Sequence, residues 1–165
     1  MFGADGGERM SQEKLRCNEN GDFTVLVVAD PQCEKDFQWK EAADELEILL
    51  KKENPDFVLI NGDMETNNLI TKEKWEILIQ PIIKRNIFWS TVNGNHDPFR
   101  KEINDMYLEF DKCLNTVENE KERPLNYCIP VLNSNDEKTV SVWGSVKADT
   151  ARYPRKHCRL LSKNE

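Results

Sequence analysis

Three continuous apolar runs, each followed by a polar loop and then an amphipathic stretch, limit this chain more than any other feature. Phe23-Thr24-Val25-Leu26-Val27-Val28-Ala29 runs into Asp30-Pro31-Gln32, Phe57-Val58-Leu59-Ile60 into Asn61-Gly62-Asp63, and Ile87-Phe88-Trp89-Ser90-Thr91-Val92 into Asn93-Gly94-Asn95-His96-Asp97. Short apolar runs rich in β-branched and aromatic residues and closed by turn residues read as strands covered on both faces. Between them the apolar residues recur at helical spacing. Trp39, Ala42, Ala43, Leu46, Leu49 and Leu50 form one stripe over about Asp36 to Glu53, ended by Asn54-Pro55. Trp75, Leu78, Ile79, Ile82 and Ile83 form a second from Thr71 to Arg85, in which Pro81 predicts a kink or an early end. Ile103, Met106, Tyr107, Phe110 and Leu114 predict a third helix over about Phe99 to Leu114.

Strand and helix therefore alternate three times, which implies an α/β fold with a parallel sheet and right-handed crossovers. Beyond Glu118 the pattern changes. Asn119 to Arg123 is a charged loop, and Tyr127–Leu132 and Thr139–Trp143 read as a β-hairpin turning at Asn133-Ser134-Asn135-Asp136. The expected organisation is a flexible arm over 1–22, a domain over 23–143 and a poorly structured tail over 144–165. That tail holds six Lys/Arg against two acids.

The rest of the composition narrows the function. A net charge of −7 argues against a protein that binds nucleic acid through Lys and Arg on phosphates. It leaves room for a small phosphorylated substrate, because bound cations invert the local field. No apolar run approaches the roughly 18 residues of a membrane span, and the acidic, glycine-rich start is no signal peptide. Cys17, Cys33, Cys113, Cys128 and Cys158 make neither a Cys-x-x-Cys pair nor a disulfide framework, so reduced thiols in the cytoplasm are expected.

In a parallel sheet of this kind, the loops after the strands share one edge, where ligands bind. That edge gathers Asp30 and Gln32, then Asp63, then Asn95, His96 and Asp97. Oxygen donors with an imidazole suit divalent ions such as Mn, Fe, Zn or Mg. Carboxylates so close together repel one another unless a cation lies between them. Read singly, Asp30 and Asp63 are turn residues and His96 a surface histidine. Cys33 beside them is a buried bystander, and Gly6-Gly7 is no phosphate loop.

Taken in order, Asp30-Pro31-Gln32, Gly62-Asp63 and Gly94-Asn95-His96-Asp97 resemble the calcineurin-like metallophosphoesterases, which include purple acid phosphatases and phosphoprotein phosphatases. The resemblance is close over Phe23 to Asp97 and holds in outline to Trp143. It implies a β-sandwich with flanking helices and hydrolysis of phosphate esters at two divalent metal ions. Asp63 would bridge the ions, Asp30 would bind the first and Asn95 the second. His96 would contact the phosphate or protonate the leaving oxygen, and Asp97 would hydrogen-bond His96. Two positions depart from the family pattern. Gln32 stands where most members carry a histidine ligand. The carboxyl-terminal Gly-His-x-His is missing, since the chain's two histidines are His96 and His157.

The chain thus reads as the amino-terminal half of the fold, with a second sheet barely begun and an apolar edge or face left uncovered. Two further readings compete with the enzyme. One is a non-catalytic remnant or binding module that lacks the second-half histidines. The other is a flavodoxin-like signalling domain holding Mg at one edge, which leaves Gly94 to Asp97 without a task.

Overall fold

The computed structural model describes residues 15–65, 70–94, 96–97, 101–115, 127–133, 135 and 137–144. In chain order the elements are β1 (Leu15–Arg16), β2 (Val25–Val28), α1 (Asp36–Glu53), β3 (Phe57–Asn61), α2 (Lys72–Lys84), β4 (Phe88–Val92), α3 (Lys101–Leu108), β5 (Tyr127–Leu132) and β6 (Lys138–Gly144). They make two three-stranded sheets, ordered β2-β3-β4 and β1-β5-β6.

The first sheet is wholly parallel, as the alternation predicts. Val25 lies opposite Phe57, which lies opposite Phe88, and Ile60 lies opposite Thr91. The central strand shows why its sequence is unbrokenly apolar. Successive side chains point to opposite faces of a strand. Val58 and Ile60 enter a core with Trp39, Leu46, Leu50, Trp75, Ile79 and Trp89, on the helix side. Phe57 and Leu59 enter a second core with Leu15, Val92, Ile129, Val131 and Val142, on the side of the other sheet. The architecture is thus helices on sheet on sheet. Trp75 anchors the helix-side core, stacked on Trp89 at 5.8 Å and edge-on to Tyr107 at 4.6 Å between ring centroids.

Local chemistry accounts for the helix ends. At the start of α1 the Gln38 side-chain oxygen accepts the Glu34 and Lys35 main-chain N–H groups, both at 2.8 Å. Asn54 closes the helix in the left-handed region, at φ 42°, and Pro55 prevents its continuation. Thr71 caps α2 through its hydroxyl, which accepts the Lys74 N–H at 3.4 Å. The helix continues past Pro81 to Lys84 rather than ending early.

Four expectations need correction. The arm over 1–22 contains β1: Leu15 pairs with Val131 and is buried, so 15–22 belongs to the folded body. A two-residue strand carries no periodicity of its own, and a partner more than a hundred residues away creates it. The first apolar run is not covered on both faces. It forms the outer strand of its sheet, and Val27, on the face turned toward the second sheet, is 54% exposed. The third helix stops at Leu108 although the apolar spacing runs on to Leu114. Lys112 adopts φ 60°, the Trp89 N–H donates to the Lys112 carbonyl at 3.0 Å, and the Leu114 N–H donates to the Trp89 carbonyl at 2.8 Å. The outer groups of β4 need partners, and residues 112–114 supply them by running alongside that strand instead of continuing the helix. Finally, Gly144, expected to open the tail, instead closes β6; residues 145–165 lie outside the described residues.

The hairpin forms where the sequence places it, with a bulge between Val131 and Leu132. Asn133 builds its turn by accepting the Asn135 and Glu137 N–H groups on its side-chain oxygen, at 2.9 and 3.0 Å.

Candidate functional site

The parallel register sends the loops after β2, β3 and β4 to one edge, and main-chain hydrogen bonds then bind the loops to each other. The Asp30 N–H donates to the Gly62 carbonyl at 3.1 Å, Gln32 to Asp63 at 3.2 Å and Cys33 to Met64 at 2.9 Å. The first loop therefore extends the ladder alongside the second. Keeping that path through tight turns puts Asp30, Gln32 and Asp63 in the left-handed region, at φ 56°, 45° and 53°. Such backbone costs about 1–3 kcal/mol per residue and persists only where surrounding contacts enforce it.

Asp97 enforces it between the second and third loops. Asp97 is 6% exposed. One oxygen accepts the main-chain N–H groups of Asp63 and Gly94, both at 2.8 Å, and the other accepts that of Met64 at 2.9 Å. The Glu65 N–H adds a further bond. Consecutive amides converging on one carboxylate form an anion nest, here filled from within the chain. Burial pushes the Asp97 carboxyl above its ordinary value, and the four amides pull it back without reversing that direction. The family resemblance implies an imidazole pairing for Asp97; the bonds seen on its carboxylate come from main-chain amides.

His96 is exposed, and its main-chain N–H donates to the Asp63 carboxylate at 2.9 Å. His96 thus lies at the surface while its main-chain N–H holds one oxygen of the Asp63 carboxylate. Gly94 allows this approach: a Cβ there would lie 2.6 Å from the Asp63 carboxyl carbon. Asp30, Gln32, Asp63 and His96 are brought to the shared edge. Asn95 lies outside the described residues, as do His157 and Cys158.

A buried polar layer beneath the edge carries no pattern that sequence reasoning exploits. The Asn115 side-chain oxygen accepts the Thr91 N–H at 2.9 Å, its amide donates to Asn104 at 3.3 Å, and the Tyr107 hydroxyl donates to Asn93 at 3.5 Å. Asn104 within an otherwise apolar helical stripe is the one local hint. Burial pushes the Cys33 thiol up to about 11, with the Glu65 charge adding to the effect. Cys17, Cys33, Cys113 and Cys128 are all free thiols.

The donor chemistry of Asp30, Gln32 and Asp63 is that of a hard divalent cation. Among the described residues, however, no group of three or more His, Cys, Asp or Glu side chains is gathered to hold one. In donor type these residues suit such an ion, and in number they fall short of a full coordination shell.

Fold and site together define an α/β sandwich with an acidic, oxygen-donor edge at the ends of three parallel strands. The model of the calcineurin-like phosphoesterase family matches residues 23–158, and the chain belongs to that family. Family members hydrolyse phosphate esters, act on phosphorylated substrates and typically use two metal ions. Comparison with curated proteins finds no match. Among the described residues no helix is long and apolar enough to cross a membrane.

Proposed function

We propose that this chain is a metal-dependent phosphoesterase whose site comprises Asp30, Gln32, Asp63, Asn95, His96 and Asp97. The observation that carries the reading is the junction of Asp63 with the Gly94–Asp97 loop: the acid suited to hold an ion accepts a hydrogen bond from the backbone of the histidine suited to meet a phosphate. Asp30 and Asp63, with Gln32 and Asn95, would hold divalent ions, which in such sites supply Lewis-acid activation of the phosphoryl group and of water. The His96 imidazole at the rim binds a phosphoryl oxygen or delivers a proton to the departing alcohol. Asp63 stays oriented because the His96 N–H fixes one of its oxygens. Asp97 keeps the loops in register. The substrate is a phosphorylated small molecule or phosphoprotein. The net charge and the reduced cysteines support a cytoplasmic enzyme without nucleic-acid or membrane partners.

The second reading, a non-catalytic binding module, draws on the incomplete donor set among the described residues. Elemental analysis of the purified chain, with turnover of p-nitrophenyl phosphate in manganese on the same sample, separates the two. The enzyme reading expects bound metal and turnover, and absence of both sinks it. Asp63→Asn is expected to remove metal and activity together, and full manganese-dependent turnover by this variant would refute the assignment. His96→Ala is expected to retain metal while turnover falls by roughly 10²–10⁴, the range for a lost acid–base group.

A further inference from the structure

Two residues after Asp63, a carboxylate lies inside the protein with no part in the chemistry above. Glu65 is 1% exposed. One of its oxygens accepts the Lys74 ammonium at 2.8 Å, and the other is buried without a hydrogen-bond partner among the described residues. Lys74 belongs to the first turn of α2 and is itself 19% exposed along its side chain. Its ammonium also sits 5.8 Å above the Trp39 ring centroid and 4.0 Å from an Asp36 oxygen, both on α1. One lysine therefore joins both helices to the loop that carries Asp63. The same loop gives its consecutive N–H groups at Asp63, Met64 and Glu65 to Asp97.

A buried ion pair is a poor choice for stability alone, because desolvation of the two charges offsets most of their attraction. What it adds is direction. Charge-assisted bonds are short and angularly demanding, and apolar packing is not. We propose that the Glu65–Lys74 pair is a positioning device for the candidate site, holding the main chain of 63–65 against the helices so that its amides converge on Asp97 and the Asp63 carboxylate faces the His96 backbone. The inference rests on the phosphoesterase reading for its purpose, but not for its test.

The test is amide hydrogen exchange by NMR on the full chain, comparing the parent with Glu65→Leu/Lys74→Met. This double variant replaces the pair by apolar side chains of similar size, a change commonly neutral or stabilising. Loss of the positioning bond is expected to speed exchange at Asp63, Met64 and Gly94 by roughly tenfold, while Val58 and Leu59 in β3 keep their protection. Unchanged protection at Asp63, Met64 and Gly94 overturns the proposal. Equal acceleration at all five positions also overturns it, since that marks global stability alone. If the double variant does not fold, Glu65→Gln, which keeps the length and an acceptor oxygen, is read by the same comparison and the same two outcomes. Exchange requires neither metal nor turnover. A parent chain without metal or activity therefore refutes the proposed function, whereas the exchange pattern refutes the positioning role.

Discussion

Gly62→Ala is expected to be among the most destabilising single substitutions in this protein, by at least about 3 kcal/mol. Two effects combine. Gly62 sits at φ 76°, where an alanine is strained by about 1 kcal/mol or more. Its new Cβ would also overlap main chain: it would lie against the Gly94 nitrogen, 2.6 Å from the Gly94 Cα and 3.1 Å from the Asn93 carbonyl carbon. Backbone of a neighbouring strand end cannot rotate away as a flexible side chain can, so the β3 and β4 loops must part. Parting them breaks the Asp63 and Gly94 bonds to Asp97. A fall in melting temperature on the order of 10 °C is expected, with a shifted denaturant midpoint at unchanged slope. Gly21 supplies the control. Its φ is 85°, but nothing lies within 4 Å of its would-be Cβ. Gly21→Ala therefore meets the conformational strain alone and should cost about 1 kcal/mol. Equal losses in the two variants would show that the close approach of the strand ends is not there.

Asp97→Ala carries the second large effect. Its removal leaves the amides of Asp63, Met64, Glu65 and Gly94 without their acceptor in a mostly buried place. Each unsatisfied buried donor costs about 1–3 kcal/mol. Water entering the gap recovers part of that, and a net loss of about 4 kcal/mol is expected, in the range reserved for broken buried networks. The strained φ at Asp63 loses the contacts that maintain it, so the loops should also relax. Asp97→Asn keeps one acceptor oxygen but turns an NH2 group toward the amides, and it should fall between parent and alanine. The measurement is the denaturant midpoint of all three proteins. The result also separates two roles for this acid. Were Asp97 chiefly the partner of the His96 ring, its loss would alter turnover and hardly touch stability. A large midpoint shift identifies the clamp instead.

These two predictions come from different levels of the molecule, and so does what could be read without coordinates. Local chemistry made β3, α1 and α2 legible. Phe57 to Ile60 is apolar without alternation because both faces of that central strand are covered, Asn54-Pro55 stops one helix, and Thr71 starts the next. The gathering of Asp30, Gln32, Asp63 and His96 at one edge followed from topology, since parallel strands joined by helices must end on the same side. Other features depended on partners distant in sequence. Leu15 and Arg16 are a strand only beside Val131 and Leu132. The third helix yields at Leu108 because the outer groups of Trp89 demand main-chain partners, a demand invisible in the spacing of Ile103, Met106, Phe110 and Leu114.

The sequence by itself determined the alternation, the parallel sheet and the set of oxygen and imidazole donors at its edge, because side-chain period and turn chemistry act over a few residues. Only the tertiary structure decided what those donors do to each other. It turned Asp97 inward onto four amides, laid the His96 backbone against Asp63 and buried Glu65 beside Lys74. Each of these depends on how closely three separate loops approach, and that distance is set by packing across the whole sheet rather than by any stretch of chain.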